Sequence, residues 1–134
     1  NGLLEVEGGL TAIHDGVRPL PSSGLIRHCF NQAGLFGSAV PVLPLSDTIR
    51  QVDEQGTRVI DRRTLRATQT PQCFNTELIK SAYFRAQSPD YTDCASILES
   101  EGIPVHLVEG EISNLKITYP EDLNYASYLL GSQK

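Results

Sequence analysis

The sequence predicts an α/β fold, because apolar runs of strand length alternate with segments of helical spacing along the whole chain. Several polar clusters also fall at the ends of the predicted strands, where open α/β sheets place their ligands. The first element is Gly8 to His14, an apolar run that delivers Asp15-Gly16 at its C-terminal end and reads as a buried strand. Pro19 to Ser23 is a turn, and Ser22 or Ser23 can cap the helix carrying Leu25, Ile26, Cys29, Phe30 and Ala33, which Gly34 and Gly37 end. Ser38 to Leu45 is a second apolar strand, and its two prolines predict an edge position or an irregular end.

Thr48 to Val52 and Thr57 to Ile60 bracket Asp53-Glu54-Gln55-Gly56 and read as a hairpin. It is too polar to be core, so it is expected to project as an arm. A strand over Leu65 to Thr70 ends at Pro71. Asn75 caps a helix with Leu78, Ile79, Ala82 and Tyr83 on one face; Thr92-Asp93 starts another with Ala95, Ile97 and Leu98, stopped by Gly102. Val105 to Val108 and the shorter Leu115 to Ile117 read as strands, and Pro120 with Glu121-Asp122 opens a last helix through Leu130.

Composition narrows the function. With 134 residues the chain fits one domain with a real core. Eleven Lys and Arg against 16 Asp and Glu, with no basic stripe, argue against nucleic acid or an anionic membrane as partner. No apolar run approaches the ~20 residues needed to span a bilayer, and the first residues lack the pattern of a signal peptide. A cytoplasmic location is the expectation. Cys29, Cys73 and Cys94 are odd in number and widely spaced, which favours reduced, packed thiols over disulfides or a zinc site.

The polar clusters are His14 to Pro19, Asp61-Arg62-Arg63, Thr68 to Gln72, Asn114 to Thr118, and Thr92-Asp93. In the first, Asp15 can take a metal ion or a hydroxyl and Arg18 can fork onto phosphate; a solvent-exposed ion pair in a turn is the plain alternative. His14 has no nucleophile pattern beside it and is expected to hydrogen-bond backbone. Lys116 lies between Leu115 and Ile117, flanked by Asn114 and Thr118, and reads either as a phosphate donor or as a half-exposed edge lysine. Arg62 stands at the end of the arm. Docking the arm on a second subunit would bury it, which predicts a homodimer; otherwise Arg62 is a surface arginine.

In this order the clusters resemble the 2-C-methyl-D-erythritol 4-phosphate cytidylyltransferase family. His14-Asp15-Gly16-Val17-Arg18-Pro19 resembles its first cleft loop, Ser46-Asp47-Thr48-Ile49 the start of its arm, and Asp61-Arg62-Arg63-Thr64-Leu65 the end of it. Thr70-Pro71-Gln72 with Phe74, Thr92-Asp93-Cys94-Ala95-Ser96, and Val108-Glu109-Gly110 through Asn114-Leu115-Lys116-Ile117-Thr118 to Leu123 match further segments, so the likeness runs from Ile13 to Leu130.

The resemblance implies a Rossmann-like, three-layer nucleotide-diphospho-sugar-transferase fold, with residues 1–134 the C-terminal portion of a single domain and a dimerisation arm at about 46–66. It implies CTP and a sugar-alcohol phosphate as substrates, and Mg²⁺ or another divalent cation. Arg62, from across the dimer, and Lys116 would hold the substrate phosphate. Asp15 and Arg18 would line the cleft between nucleotide and sugar-alcohol substrate, with Asp15 and Gly16 towards the cofactor. Thr48, Thr70 and Thr92 would hydrogen-bond the substrate or its phosphate. The family's glycine-rich nucleotide loop has no counterpart in these residues, so this stretch alone is expected to be inactive. Ribitol 5-phosphate as substrate, or a non-catalytic dimerisation or sugar-phosphate-binding module, are the alternatives.

Overall fold

Strand β2 (Ser38–Pro44) is the axis of the mixed sheet in the computed structural model, which describes residues 2–86 and 91–132. Its first residues pair antiparallel with β6 (Gln72–Asn75) and its last with β5 (Arg66–Thr68), while β7 (Leu107–Glu109) runs parallel to Val40–Val42. β1 (Leu10–Ile13) adds antiparallel to the outer side of β6. Thus β2 is central, which excludes the edge position, one of the two readings of its prolines. The Val40 N–H reaches the His106 carbonyl on the β7 side, so alternation turns the ring nitrogen of Pro41 the other way. There it meets the break between β5 and β6, where no ladder acceptor waits; the Pro41 carbonyl on that side takes the Gln69 N–H at 2.8 Å. A proline is tolerated because the neighbouring strand is interrupted opposite it.

The same alternation sorts the core into two faces. Val40 and Phe74 point to helices α2 (Thr76–Arg85) and α3 (Cys94–Ser100), packing with Ile79, Ala82, Ala95, Ile97 and Leu98. Ala39, Cys73 and Val108 point to α1 (Ser23–Phe36) and meet Leu25, Cys29 and Ala33. Helices therefore cover both faces of the sheet, giving three layers. Cys29 and Cys73 are free, buried packing residues; the Cys73 thiol is pushed up by its hydrogen bond to Cys29 and by burial, which keeps it neutral.

Local chemistry sets the helix ends. The Ser22 hydroxyl accepts the Leu25 N–H, Asn75 that of Leu78, and Asp93 that of Ser96 in a capping box. α1 runs through Gly34 and stops at Gly37, whose φ of 82° is the left-handed conformation that closes a helix. α4 (Pro120–Ser132) begins where the Asp122 carboxylate accepts the N–H groups of Thr118 at 2.8 Å and Tyr119 at 2.9 Å.

The arm is present as β3 (Ile49–Asp53) and β4 (Gly56–Ile60), antiparallel about a Glu54-Gln55 turn. No residue of either strand is buried, and Val52 and Val59 face outward. Two further elements differ from the sequence reading. β6 is an unpredicted strand: four residues after a proline, framed by Gln and Asn, carry no periodic signal, and pairing on both sides alone makes them a strand. Leu115 to Ile117 is a loop, because it finds one backbone bond, Ile117 N–H to the Val17 carbonyl at 2.8 Å, and no strand to pair with.

Two outcomes are expected. A Cβ on Gly110 would lie 2.5 Å from Gln69 Oε1 and 3.2 Å from the Val42 carbonyl, so Gly110→Ala should destabilise the full-length protein by about 2 kcal/mol, read by denaturant unfolding. Asp122 is held below the ordinary carboxylate range by the N–H groups of Tyr119 and Thr118. A depressed folded-state pKa gives stability that is present above the unfolded value and lost as pH falls through the folded one. The stability difference between the protein and its Asp122→Asn variant should therefore shrink to nothing in acid, and a pH-independent difference would refute the assignment.

Candidate active site

The turn after β1 is built by its own backbone and clipped to the sheet. The Arg18 N–H bonds the Asp15 carbonyl at 3.0 Å. His14 donates from Nε2 to the Arg18 carbonyl at 2.8 Å, and its Nδ1 lies 2.9 Å from Thr70 Oγ1, which also accepts the Asp15 N–H at 2.9 Å. His14 thus binds backbone, as its sequence context predicts, and in addition holds Thr70. Thr70 belongs to the segment between β5 and β6, whose polar groups the broken ladder leaves available.

A second loop, Gly110 to Thr118, brings Lys116 to the same lip. Gln69, buried under it, donates from Nε2 to the carbonyls of Glu111 at 2.8 Å and Asn114 at 3.2 Å, and accepts the Glu111 N–H at 3.0 Å. Buried Asn114 donates to the Thr70 carbonyl at 2.8 Å. The Glu111 carboxylate takes the Ser22 hydroxyl at 2.6 Å, tying the loop to the start of α1. Lys116 Nζ then stands 3.4 Å from Asp15 Oδ2, with its side chain half exposed.

Arg18 joins the two loops. Its guanidinium donates to the Asn114 carbonyl at 2.8 Å, to the Thr68 carbonyl at 3.4 Å and to Asp15 Oδ2 at 3.3 Å, and only 10% of its side chain is exposed. It lines the cleft, and three of its five N–H groups have partners, two of them main-chain oxygens. Asp15 sits between two cations while keeping a third of its side chain exposed.

Two adjoining clefts open here. One of about 560 Å³ reaches from Asp15 and Thr70 to Tyr83, Tyr91 and Ile97; one of about 260 Å³ is lined by Asp15, Arg18, Thr68 and Lys116. They share Asp15, Thr70, Gln72, Thr92 and Asp93. Gln72 donates to Asp93 Oδ2 at 2.9 Å and accepts the Ala95 N–H at 3.2 Å, fixing the start of α3. Just before it, Thr92 is exposed, and its side chain makes no hydrogen bond among the described residues. Burial beside Cys94 pushes the Tyr83 phenol up to about 12, so that wall of the larger cleft is neutral.

The fold therefore brings Asp15, Arg18, Thr70, Thr92 and Lys116 together, with Gly16 in the adjoining turn. It does not bring Thr48 or Arg62 to them within one chain. Thr48 is exposed at the arm base, where Arg62 donates to the Ser46 carbonyl. The supporting roles of Gln69, Gln72 and Asn114 were not assigned from sequence, although all three fall in its polar clusters; Glu111 carried no signal, since its partner Ser22 is 89 residues away. One carboxylate, one ammonium and two hydroxyls at an open lip suit a small ligand with an anionic end and a hydroxylated one.

Comparison with known proteins agrees. The family model described as IspD, 2-C-methyl-D-erythritol 4-phosphate cytidylyltransferase, matches residues 1–132. The enzyme of that name from Bacteroides fragilis is 44% identical over 131 residues, which are 97% of this chain and 60% of the relative. That from a Nostoc species is 42% identical over 139 residues, with 99% and 61% covered. Among solved structures, the Thermus thermophilus cytidylyltransferase superposes with a TM-score of 0.86 at 39% identity, over 95% of this chain and 64% of the other. The Francisella tularensis enzyme gives 0.84 at 27%, over 96% and 64%. The chain spans about 60% of the length of the curated relatives it matches. With matching sequence over nearly its whole length and the same fold around its polar lip, the chain belongs to the 2-C-methyl-D-erythritol 4-phosphate cytidylyltransferase family.

Proposed function

We propose that the full-length protein carrying this chain joins CTP and 2-C-methyl-D-erythritol 4-phosphate, releasing pyrophosphate, with residues 1–134 as the C-terminal portion of a single cytidylyltransferase domain. The observation that carries this is the placement of Lys116 against Asp15, Thr70 and Thr92 at the sheet's lip in a chain of this family. A phosphate oxygen of the polyol phosphate attacks the α-phosphorus of CTP while the bond to the β-phosphate oxygen breaks. Both reactants are anions, so the protein must offset their repulsion and hold them in line. Lys116 does the first, and the exposed Thr92 hydroxyl donates to the same phosphate. Asp15 accepts from a hydroxyl. Arg18, with three of its five N–H groups engaged, keeps Asp15 and the Lys116 loop in register and turns its remaining donors to the ligand.

Arg62 and Thr48 complete a site only from a neighbouring copy. An arm with no buried residue and two outward valines supports exchange across a homodimer. Among the described residues no cluster of three His, Cys, Asp or Glu side chains can hold a metal by itself. A Mg²⁺ held chiefly by phosphates and water needs one or two carboxylates, and Asp15, beside Gly16, fits that need. Such an ion would draw charge from the phosphates. No helix among the described residues is long and apolar enough to cross a membrane, and a cytoplasmic enzyme is the reading we adopt.

Pyrophosphate release by the full-length protein, with CTP and Mg²⁺, should appear with 2-C-methyl-D-erythritol 4-phosphate and not with ribitol 5-phosphate. Turnover of ribitol 5-phosphate alone would overturn the proposal. Lys116→Ala should lower kcat about a hundredfold or more with the fold intact, read by circular dichroism beside the assay. Mixing inactive Arg62→Ala with inactive Lys116→Ala subunits should recover activity, since one site of each hybrid dimer is then undamaged; no recovery would place Arg62 in its own subunit's site.

A further inference from the structure

We infer that His14 is a positioning residue that makes the Thr70 hydroxyl a pure hydrogen-bond acceptor, so that this point of the cleft reads a ligand hydroxyl and turns away a phosphate. The Arg18 carbonyl, 2.8 Å from His14 Nε2, can only accept, which puts the ring proton on Nε2. In the neutral ring Nδ1 is then bare. Its partner at 2.9 Å is Thr70 Oγ1, and the proton between them belongs to the threonine. The Asp15 N–H, also at 2.9 Å, occupies one of the two lone pairs on that oxygen. What remains is a single lone pair on a side chain that lines both clefts.

A phosphate oxygen offers no proton to that lone pair and would be repelled; a hydroxyl would be bound. Asp15, also an acceptor, is the next residue along the lip. Lys116 and the exposed Thr92 hydroxyl, which makes no hydrogen bond among the described residues, supply the donors. The lip is therefore polarised, with acceptors at Asp15 and Thr70 for the hydroxylated end of a polyol phosphate and donors at Lys116 and Thr92 for its phosphate. This deepens the reading of the site proposed above and rests on it for the identity of the ligand. The orientation comes from His14, which need not touch the ligand to set it.

The test has two arms, both on the full-length protein. With ¹⁵N-labelled histidine, at about pH 8 where imidazoles are ordinarily neutral, the resonances that vanish in His14→Asn identify this ring. A pyridine-like Nδ1 and a pyrrole-like Nε2 are expected; the reverse tautomer overturns the inference. In the assay, His14→Leu should raise KM for the polyol phosphate about tenfold, the weight of one neutral hydrogen bond, while KM for CTP stays within about twofold. His14→Asn, whose Oδ1 can accept in the place of Nδ1, should recover most of that loss. Equal effects on both KM values, or no recovery with Asn, would reduce His14 to a structural support and overturn the inference. An inactive wild-type protein would refute the substrate, and the ring tautomer would still decide the polarity of Thr70.

Discussion

One buried guanidinium holds the candidate site together. Arg18 takes the carbonyls of Thr68 and Asn114 and the carboxylate of Asp15, which come from three segments separated by 50 and 96 residues in sequence. Burying a cation is unfavourable unless its donors find partners, and here the partners are two main-chain oxygens and a carboxylate one-third exposed. The planar fork can address them in different directions at once, which a lysine ammonium on a flexible stem does less well. Remove it, and the Asp15 turn, the β5–β6 junction and the Lys116 loop lose the one cation they share and are left to the bonds that meet at Thr70.

The second constraint is a missing piece of sheet. A continuous strand opposite β2 would pair the main-chain groups of Gln69, Thr70 and Pro71 in a ladder and leave Pro41 facing an acceptor it cannot satisfy. The break resolves both difficulties. It accommodates proline at the centre of the sheet and directs Gln69 and Thr70 towards the loops they support. Buried amides then do for the loops what ladder bonds do for strands. Gln69 replaces the missing ladder under residues 110–114, and Gln72 fixes the start of α3, where Thr92 emerges. Such networks stabilise when their bonds are made and cost heavily when they are not, which makes the lip rigid.

Rigidity matters for the chemistry proposed. Two anions must approach each other, and the groups that offset their charge act best when they need no rearrangement. Lys116 stays half exposed while its loop is fixed at Glu111, Asn114 and Ile117, so the ammonium can turn towards a ligand from a stationary base. The arm is the opposite case. Among the described residues its strands bond to each other, through the ladder and the Arg50–Thr57 and Arg58–Gln51 side-chain pairs, and to their own turn. Nothing among the described residues of one copy covers its valines.

What the sequence alone determined is what depends on near neighbours. Ser22, Asn75 and Asp93 act within three residues, so the helix starts were legible, as were the Gly37 stop and the hairpin about Glu54-Gln55. The polar clusters were legible from their places at predicted strand ends and one helix start, which made Asp15 and Lys116 candidates, while the roles of Thr70 and Thr92 came from the family resemblance. Only the tertiary structure decided the rest. That β2 is central, that Gln72 to Asn75 is a strand and that Leu115 to Ile117 is not are settled by which segments lie alongside, and backbone pairing over long separations leaves no local pattern. The commitment of Arg18 to main-chain carbonyls was equally hidden: a guanidinium that supports a site and one that binds a ligand read alike in sequence, and they differ only in what already occupies their donors.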